Sequence, residues 1–261
     1  IEVMGGINRA LEYQLAALES GKCVITANKD LLAEHGQELF AKANEKGLDL
    51  YFEASVGGGI PIIAPLKQSL VANNIEQILG IINGTTNYIL TRMDRDNMKY
   101  EDALRQAQEL GYAEANPTSD VEGYDAARKI AILASIAFHT RVRFQDVFVE
   151  GISKISPIDL RYARELGYTV KLLGIAREEN KKIEVRVNPS MIPLQHPLAN
   201  VTDSFNAIFV RGDAVGDTMF YGRGAGQLPT ASSIVGDLVE VINNLQKGST
   251  GRLGCTCYEA K

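Results

Sequence analysis

The hydrophobic pattern of this chain changes rhythm part-way along, and that change limits what it can fold into. Residues 1–6, Ile-Glu-Val-Met-Gly-Gly, read as a strand running into a glycine turn. Leu11, Leu15 and Leu18 then recur at helical spacing, and Gly21 follows as a stop, so a helix is expected over 8–20. Residues 22–27 read as a strand, Asn28 can cap a helix running to about Lys46, and 48–54 read as the next strand. Strands alternating with helices in this way build a parallel sheet with right-handed crossovers, a doubly wound α/β arrangement. No initiator Met, signal peptide or transit peptide precedes Ile1, so the pattern is expected to begin mid-fold.

After Gly57-Gly-Gly59 the alternation stops. A helix is expected over 62–71, a strand over 76–82, and helices over 87–94, 100–110 and 121–138. Strands follow at 168–176, 182–188, 207–211 and 218–221, joined by turns rich in Gly, Asp, Asn and Pro, which suggests a mixed or antiparallel sheet. Ile234, Val235, Leu238, Val241 and Ile242 then mark a helix over 232–245, and 246–251 read as a polar linker.

Charge and composition narrow the partners. With 27 basic and 32 acidic residues the net charge is -5, which disfavours a nucleic acid or an anionic membrane as partner and favours a small molecule. The densest apolar run, 129–138, is well short of the roughly 18 residues of a membrane span. Three cysteines, Cys23, Cys255 and Cys257, are too few for a disulfide framework, and a cytoplasmic location is the expectation. His35, His139 and His196 are scattered, so neither a zinc site nor a cysteine nucleophile is supported.

Acids and bases concentrate in 111–129. Asp125 and Lys129 share a helix face, and Glu114 and Asp120 precede them in a proline-containing loop. The bland reading is a solvated pair worth about 0.2–0.5 kcal/mol. The sharper one is a cage for a substrate ammonium with Lys129 as acid or base. Asn83-Gly84-Thr85 lies between a strand and a helix, where free amides can bind a carboxylate; taken in isolation, a simple Thr cap with a glycine turn is the favoured reading. Lys29 stands at the carboxyl end of a parallel strand, the ligand-binding edge of open α/β sheets, although a solvated lysine would look the same. Glu53 adjoins a glycine run whose carbonyls could converge on a hard cation, a weak signal by itself. Gly222-Arg-Gly-Ala-Gly226 matches half of a nucleotide fingerprint and lacks its strand and helix context.

Together these segments resemble the homoserine dehydrogenases, enzymes that interconvert aspartate semialdehyde and homoserine with a nicotinamide cofactor. The resemblance runs from Ile1 to about Leu245 through Glu-Val-Met-Gly-Gly6, Thr-Ala-Asn-Lys29, the 53–61 segment, Gly-Ile-Ile-Asn-Gly-Thr85, the 111–129 stretch and Tyr-Gly-Arg-Gly-Ala-Gly226. It implies an α/β fold: a partial Rossmann-type nucleotide-binding domain over 1–55, and an α+β catalytic and dimerisation domain with a mixed sheet over 56–221. It further implies a returning helix over 222–246 and a linker or tail over 247–261. Lys129 matches the catalytic acid, and Asp125 the residue that positions it and the substrate. Glu114 matches the ammonium ligand, with Asp120 as helper and Gly84 and Thr85 in the same pocket. Lys29, Gly224 and Gly226 match positions beside an NADP or NAD cofactor, NADP being favoured. Glu53, with the carbonyls of Val56, Gly58 and Ile60, matches a sodium or potassium site. A homodimer and a role in the aspartate pathway to threonine and methionine are implied as well. The family's Gly-x-Gly-x-x-Gly turn does not precede Ile1. A non-catalytic substrate and dimerisation module is therefore the competing expectation.

Overall fold

Backbone pairing follows the expected rhythm at the N-terminus of the computed structural model, which describes residues 1–251. The helix α1 (Asn8–Glu19), strand β1 (Val24–Ile25), helix α2 (Lys29–Lys46) and strand β2 (Leu50–Tyr51) alternate, and β1 and β2 pair in parallel. Glu2 adds a parallel bridge to Thr26, so the N-terminal residues continue the same sheet. The strands are shorter than the apolar runs predict, and side chains add bonds at their ends. The buried Glu2 carboxylate accepts from Gln14 at 2.7 Å and from the Thr26 hydroxyl at 2.9 Å. Asn28 caps α2 by accepting from the Leu31 amide at 3.1 Å.

The helix expected over 62–71 is instead a wide π turn over Pro65–Ser69. Proline has no amide to offer the preceding ladder. The Pro65 carbonyl accepts from Leu70, five residues on.

Next come β3 (Ile75–Ile81), α3 (Gly84–Arg95), α4 (Tyr100–Glu109), α5 (Thr118–Val121) and α6 (Tyr124–Ala137). They are followed by β4 (Phe148–Val149), α7 (Pro157–Glu165), β5 (Tyr168–Glu179), β6 (Lys182–Pro193), β7 (Phe205–Gly212), β8 (Gly216–Arg223) and α8 (Gln227–Lys247). The second sheet is mixed, in the order β4-β6-β5-β3-β7-β8, and only β4–β6 is parallel. Its long β5–β6 hairpin overruns the predicted strands because pairing holds from Tyr168↔Pro193 to Glu179↔Lys182, across a turn in which Asn180 and Lys181 both take positive φ. The helix α7 was not expected, although Ser156, Pro157 and Asp159 carry its capping box. The helix α6 is buried along most of its length, with Ala126, Ala127, Ile130, Ala131, Leu133 and Ala134 in the main core. Among the described residues no helix is long and apolar enough to cross a membrane.

The returning helix α8 is fixed to the first sheet by two acids. Asp237 accepts from the Glu53 amide at 3.0 Å, and both groups are buried. The Glu53 carboxylate in turn accepts from the amides of Ile62, Ile63 and Ala64 at 2.6, 2.8 and 2.7 Å. Burial, with Glu53 and Glu240 close by and only partly offset by the Glu53 amide and Lys67, pushes the Asp237 carboxyl up to about 7. Its ordinary value is 3.8, so between these values the folded chain holds a proton that the unfolded chain releases. The stability this group contributes therefore falls as pH rises through that window. Asp237→Asn keeps the acceptor and removes the charge, and should stabilise the fold by on the order of 2 kcal/mol at pH 8 and by less at pH 5. Thermal melts of both proteins at the two pH values test this, and an equal shift at both would contradict it.

Candidate active site

A cleft of about 640 Å³ opens where the first sheet meets the second unit. One wall is the carboxyl edge of β1, with Ala27 and Lys29, and the 54–58 turn. The other walls are the start of α3, the 110–114 loop, the first turns of α6 and the 223–226 loop. This is the crevice at strand ends where open α/β sheets hold their ligands.

Its floor is a connected polar network. Lys129 donates to the Ile82 carbonyl at 2.9 Å and to Asp125 Oδ2 at 2.6 Å. Lys29 reaches the other oxygen of Asp125 at 3.4 Å, so two cations share one carboxylate. The Asn83 amide donates to Asp125 at 2.9 Å and to Asp120 at 2.7 Å, which ties the two acids together. Burial alone would raise the Asp125 carboxyl, but Lys129, Lys29 and the hydrogen bonds from Lys129 and Asn83 outweigh it and hold the group below its ordinary value. Asp120 goes the other way, raised by burial and by the charge of Asp125 against the Asn83 hydrogen bond. Two neighbouring carboxyls driven in opposite directions mark a site equipped for proton handling.

The start of α3 supplies a second kind of contact. Asn83 caps the helix, taking the Thr86 amide on its side chain at 2.9 Å and the Asn87 amide on its carbonyl at 3.3 Å. The amides of Gly84 and Thr85 have no protein acceptor among the described residues, and both residues line the cleft. The helix therefore begins at Gly84 rather than at 87, and the cap is Asn83 rather than a threonine. Thr85 donates its hydroxyl to the Tyr112 carbonyl at 2.5 Å, which holds the 110–114 loop and the exposed Glu114 at the rim.

Among the residues singled out in the sequence, Lys29, Gly58, Gly84, Thr85, Glu114, Asp120, Asp125, Lys129, Gly224 and Gly226 all line this one cleft. Glu53, Val56 and Ile60 are buried behind it. The Glu53 side chain is committed to three backbone amides, and the Gly58 carbonyl accepts from Ser233 at 2.7 Å. Three amides on a carboxylate and one hydroxyl on a carbonyl leave oxygen lone pairs on both groups. Asn83 and Asn206 are among the cleft residues to which the sequence reading assigned no role. Asn83 was readable as a cap, but its bridging of Asp120 and Asp125 depends on α6 folding back. Asn206 enters from β7, distant in the chain, with no local signal. No group of three or more His, Cys, Asp and Glu able to hold a metal occurs among the described residues, and Cys255 and Cys257 lie outside them.

Comparison with known proteins fits this geometry to a family. The family model described as homoserine dehydrogenase matches residues 61–239, and the model of that family's NAD binding domain matches residues 1–53. The chain belongs to the homoserine dehydrogenase family. It is 54% identical over 251 residues to the homoserine dehydrogenase of Bacillus subtilis, covering 96% of this chain and 58% of that protein. To the homoserine dehydrogenase of Corynebacterium glutamicum it is 53% identical, covering 95% and 57%. The solved homoserine dehydrogenase of Thiobacillus denitrificans superposes with a TM-score of 0.94 at 49% identity, over 98% of this chain and 59% of that one. A hyperthermophilic archaeal homoserine dehydrogenase solved in complex with NADPH matches with a TM-score of 0.77 at 27% identity, over 90% and 69%. The chain thus spans a little under three fifths of the curated relatives it matches. The α/β fold expected from the sequence is the fold of this family.

Proposed function

We propose that this chain carries the substrate and catalytic machinery of an enzyme that interconverts L-homoserine and L-aspartate 4-semialdehyde with NADP or NAD, NADP being favoured. The observation that supports this most is the Lys129–Asp125–Asn83–Asp120 network on the floor of the cleft. A nicotinamide cofactor, when bound, accepts or supplies the hydride; the open crevice beside Lys29 and the Gly224–Gly226 backbone fits such a group. Lys129 donates its proton to the semialdehyde oxygen as the alcohol forms, and takes it back in the reverse direction. Asp125 and the Ile82 carbonyl aim the ammonium of Lys129 by accepting two of its protons. Glu114 pairs with the substrate ammonium at the rim, Asp120 assists from below, and the Gly84 and Thr85 amides receive the substrate carboxylate. The substrate is a zwitterion that carries a reacting hydroxyl, and the cleft offers a group of suitable charge to each of its three parts.

The domain division at 55 and 221, the place in the pathway to threonine and methionine, a cytoplasmic location and a homodimer belong to the same proposal. Exposed apolar side chains on the outer strands, Phe148, Met191, Met219 and Tyr221, support the dimer. A sodium or potassium ion held by Glu53 and the carbonyls of Val56, Gly58 and Ile60 belongs to the proposal too, the Glu53 carboxylate being shared with the Ile62, Ile63 and Ala64 amides.

Glu114→Gln tests the ammonium contact. It should raise the KM for homoserine by about tenfold, the size of a lost charged hydrogen bond, and leave the KM for the cofactor unchanged. An unaltered homoserine KM in steady-state kinetics would remove Glu114 from the site.

A further inference from the structure

Asn206 is the one cleft residue whose buried side chain lacks a partner among the described residues. It is 1% exposed, and neither its amide oxygen nor its amide nitrogen has a hydrogen-bond partner. Each orphaned polar atom in a closed structure costs about 1–3 kcal/mol, so such groups persist where a partner arrives later.

The surroundings indicate what that partner is. Oδ1 of Asn206 lies 3.4 Å from the point where a Cβ on Gly84 would stand, with the Ser204 carbonyl oxygen at 2.8 Å, at the residue that begins α3. With neither amide atom bonded, a half-turn of the carboxamide exchanges oxygen and nitrogen at no cost in contacts, and the NH2 then faces the same point. The α-carbon of Gly224 lies against it, where a Cβ would come within 2.2 Å of the amide. A small lift of the 223–226 loop therefore opens the amide to the cleft.

We propose that Asn206 is a specificity-determining residue whose carboxamide joins the Gly84 and Thr85 amides in binding the substrate carboxylate. This rests on the homoserine reading given above and adds to it a residue that selects amino acids over amino alcohols. The carboxylate supplies the acceptor that the amide lacks, so part of the binding free energy comes from relieving a strained closed state. A neutral amide suits this position because a lysine there would compete for Asp120 and Asp125, and an acid would repel the ligand.

The test is Asn206→Ala in the intact protein, with homoserine compared against 3-aminopropan-1-ol, the same amino alcohol chain without the carboxylate. The KM for homoserine should rise about tenfold, the preference for homoserine over the amino alcohol should shrink by a similar factor, and the cofactor KM should hold. The melting temperature should be unchanged or higher, because two unsatisfied atoms have been removed. Asn206→Asp, which sets a negative charge against the carboxylate, should raise the homoserine KM further than alanine does. An unchanged preference, or a lowered melting temperature with equal losses on both substrates, would overturn the role of Asn206 and leave it a structural residue. An unsubstituted protein that neither oxidises nor binds homoserine by calorimetry would instead overturn the homoserine reading, and this assignment with it.

Discussion

Lys129→Ala should lower kcat for homoserine oxidation on the order of 10³-fold, within the range that general acid–base groups supply, while the fold survives. Stability is expected to hold because the substitution does not leave Asp125 alone. Lys29 still lies 3.4 Å from Asp125 and Asn83 still donates at 2.9 Å, and alanine is the best helix former for a position inside α6. The informative companion is Lys129→Arg. It restores a positive charge beside Asp125 but cannot release a proton near neutral pH, so it should be about as inactive as alanine. Steady-state kinetics with melting curves on both variants decide the matter. Near-normal kcat in Lys129→Ala removes Lys129 as the acid. Rescue by arginine reduces its role to charge.

The first unit could be read because its signals are local. Leucines at helical spacing, Gly21 and the cap at Asn28 sit within a few residues of what they control, and the parallel pairing of β1 with β2 follows from their alternation. A local signal also exists at α7, whose capping box Ser156–Asp159 announces its start. The Lys129–Asp125 contact was visible as a helical spacing. Its burial was not, because the spacing cannot say which face meets the sheet. The same holds for Asp120 and Asp125, whose opposite shifts arise because burial and the charge of Asp125 raise Asp120 while Lys129 and Lys29 outweigh burial at Asp125. Glu53 shows how much a motif leaves open. A carboxylate beside a glycine run suggests a cation, and the fold adds the Ile62–Ala64 amides as further partners, which no spacing encodes. Asn206 gave no signal at all, since its neighbours Gly84 and Gly224 come from separate parts of the chain.

Gly58→Ala carries the second large effect, because the two halves of the cleft touch there. A Cβ on Gly58 would stand 2.5 Å from the Gly224 carbonyl oxygen and 2.9 Å from the Ala225 nitrogen, both backbone atoms that cannot rotate aside. Gly58 also has a φ of +55°, a conformation that costs an L-residue about 1 kcal/mol even in open space. Relief of the clash requires the 223–226 loop to move by about an ångström, and misplacement on that scale lowers turnover by about a hundredfold. Gly47→Ala separates the two causes. Gly47 has a φ of +65° at the end of α2 with nothing within 4 Å of its Cβ position, so it incurs the strain and not the clash. It should lower the melting temperature by a few degrees and leave kcat/KM alone. Gly224→Ala clashes with Asn206 on the far side of the same loop, so its loss and that of Gly58→Ala should fall short of additive when the two are combined. If Gly58→Ala behaves like Gly47→Ala, the loop does not set the cleft. If the double variant is fully additive, the two glycines act on separate structures, and the Gly58–Gly224 contact is not what closes the site.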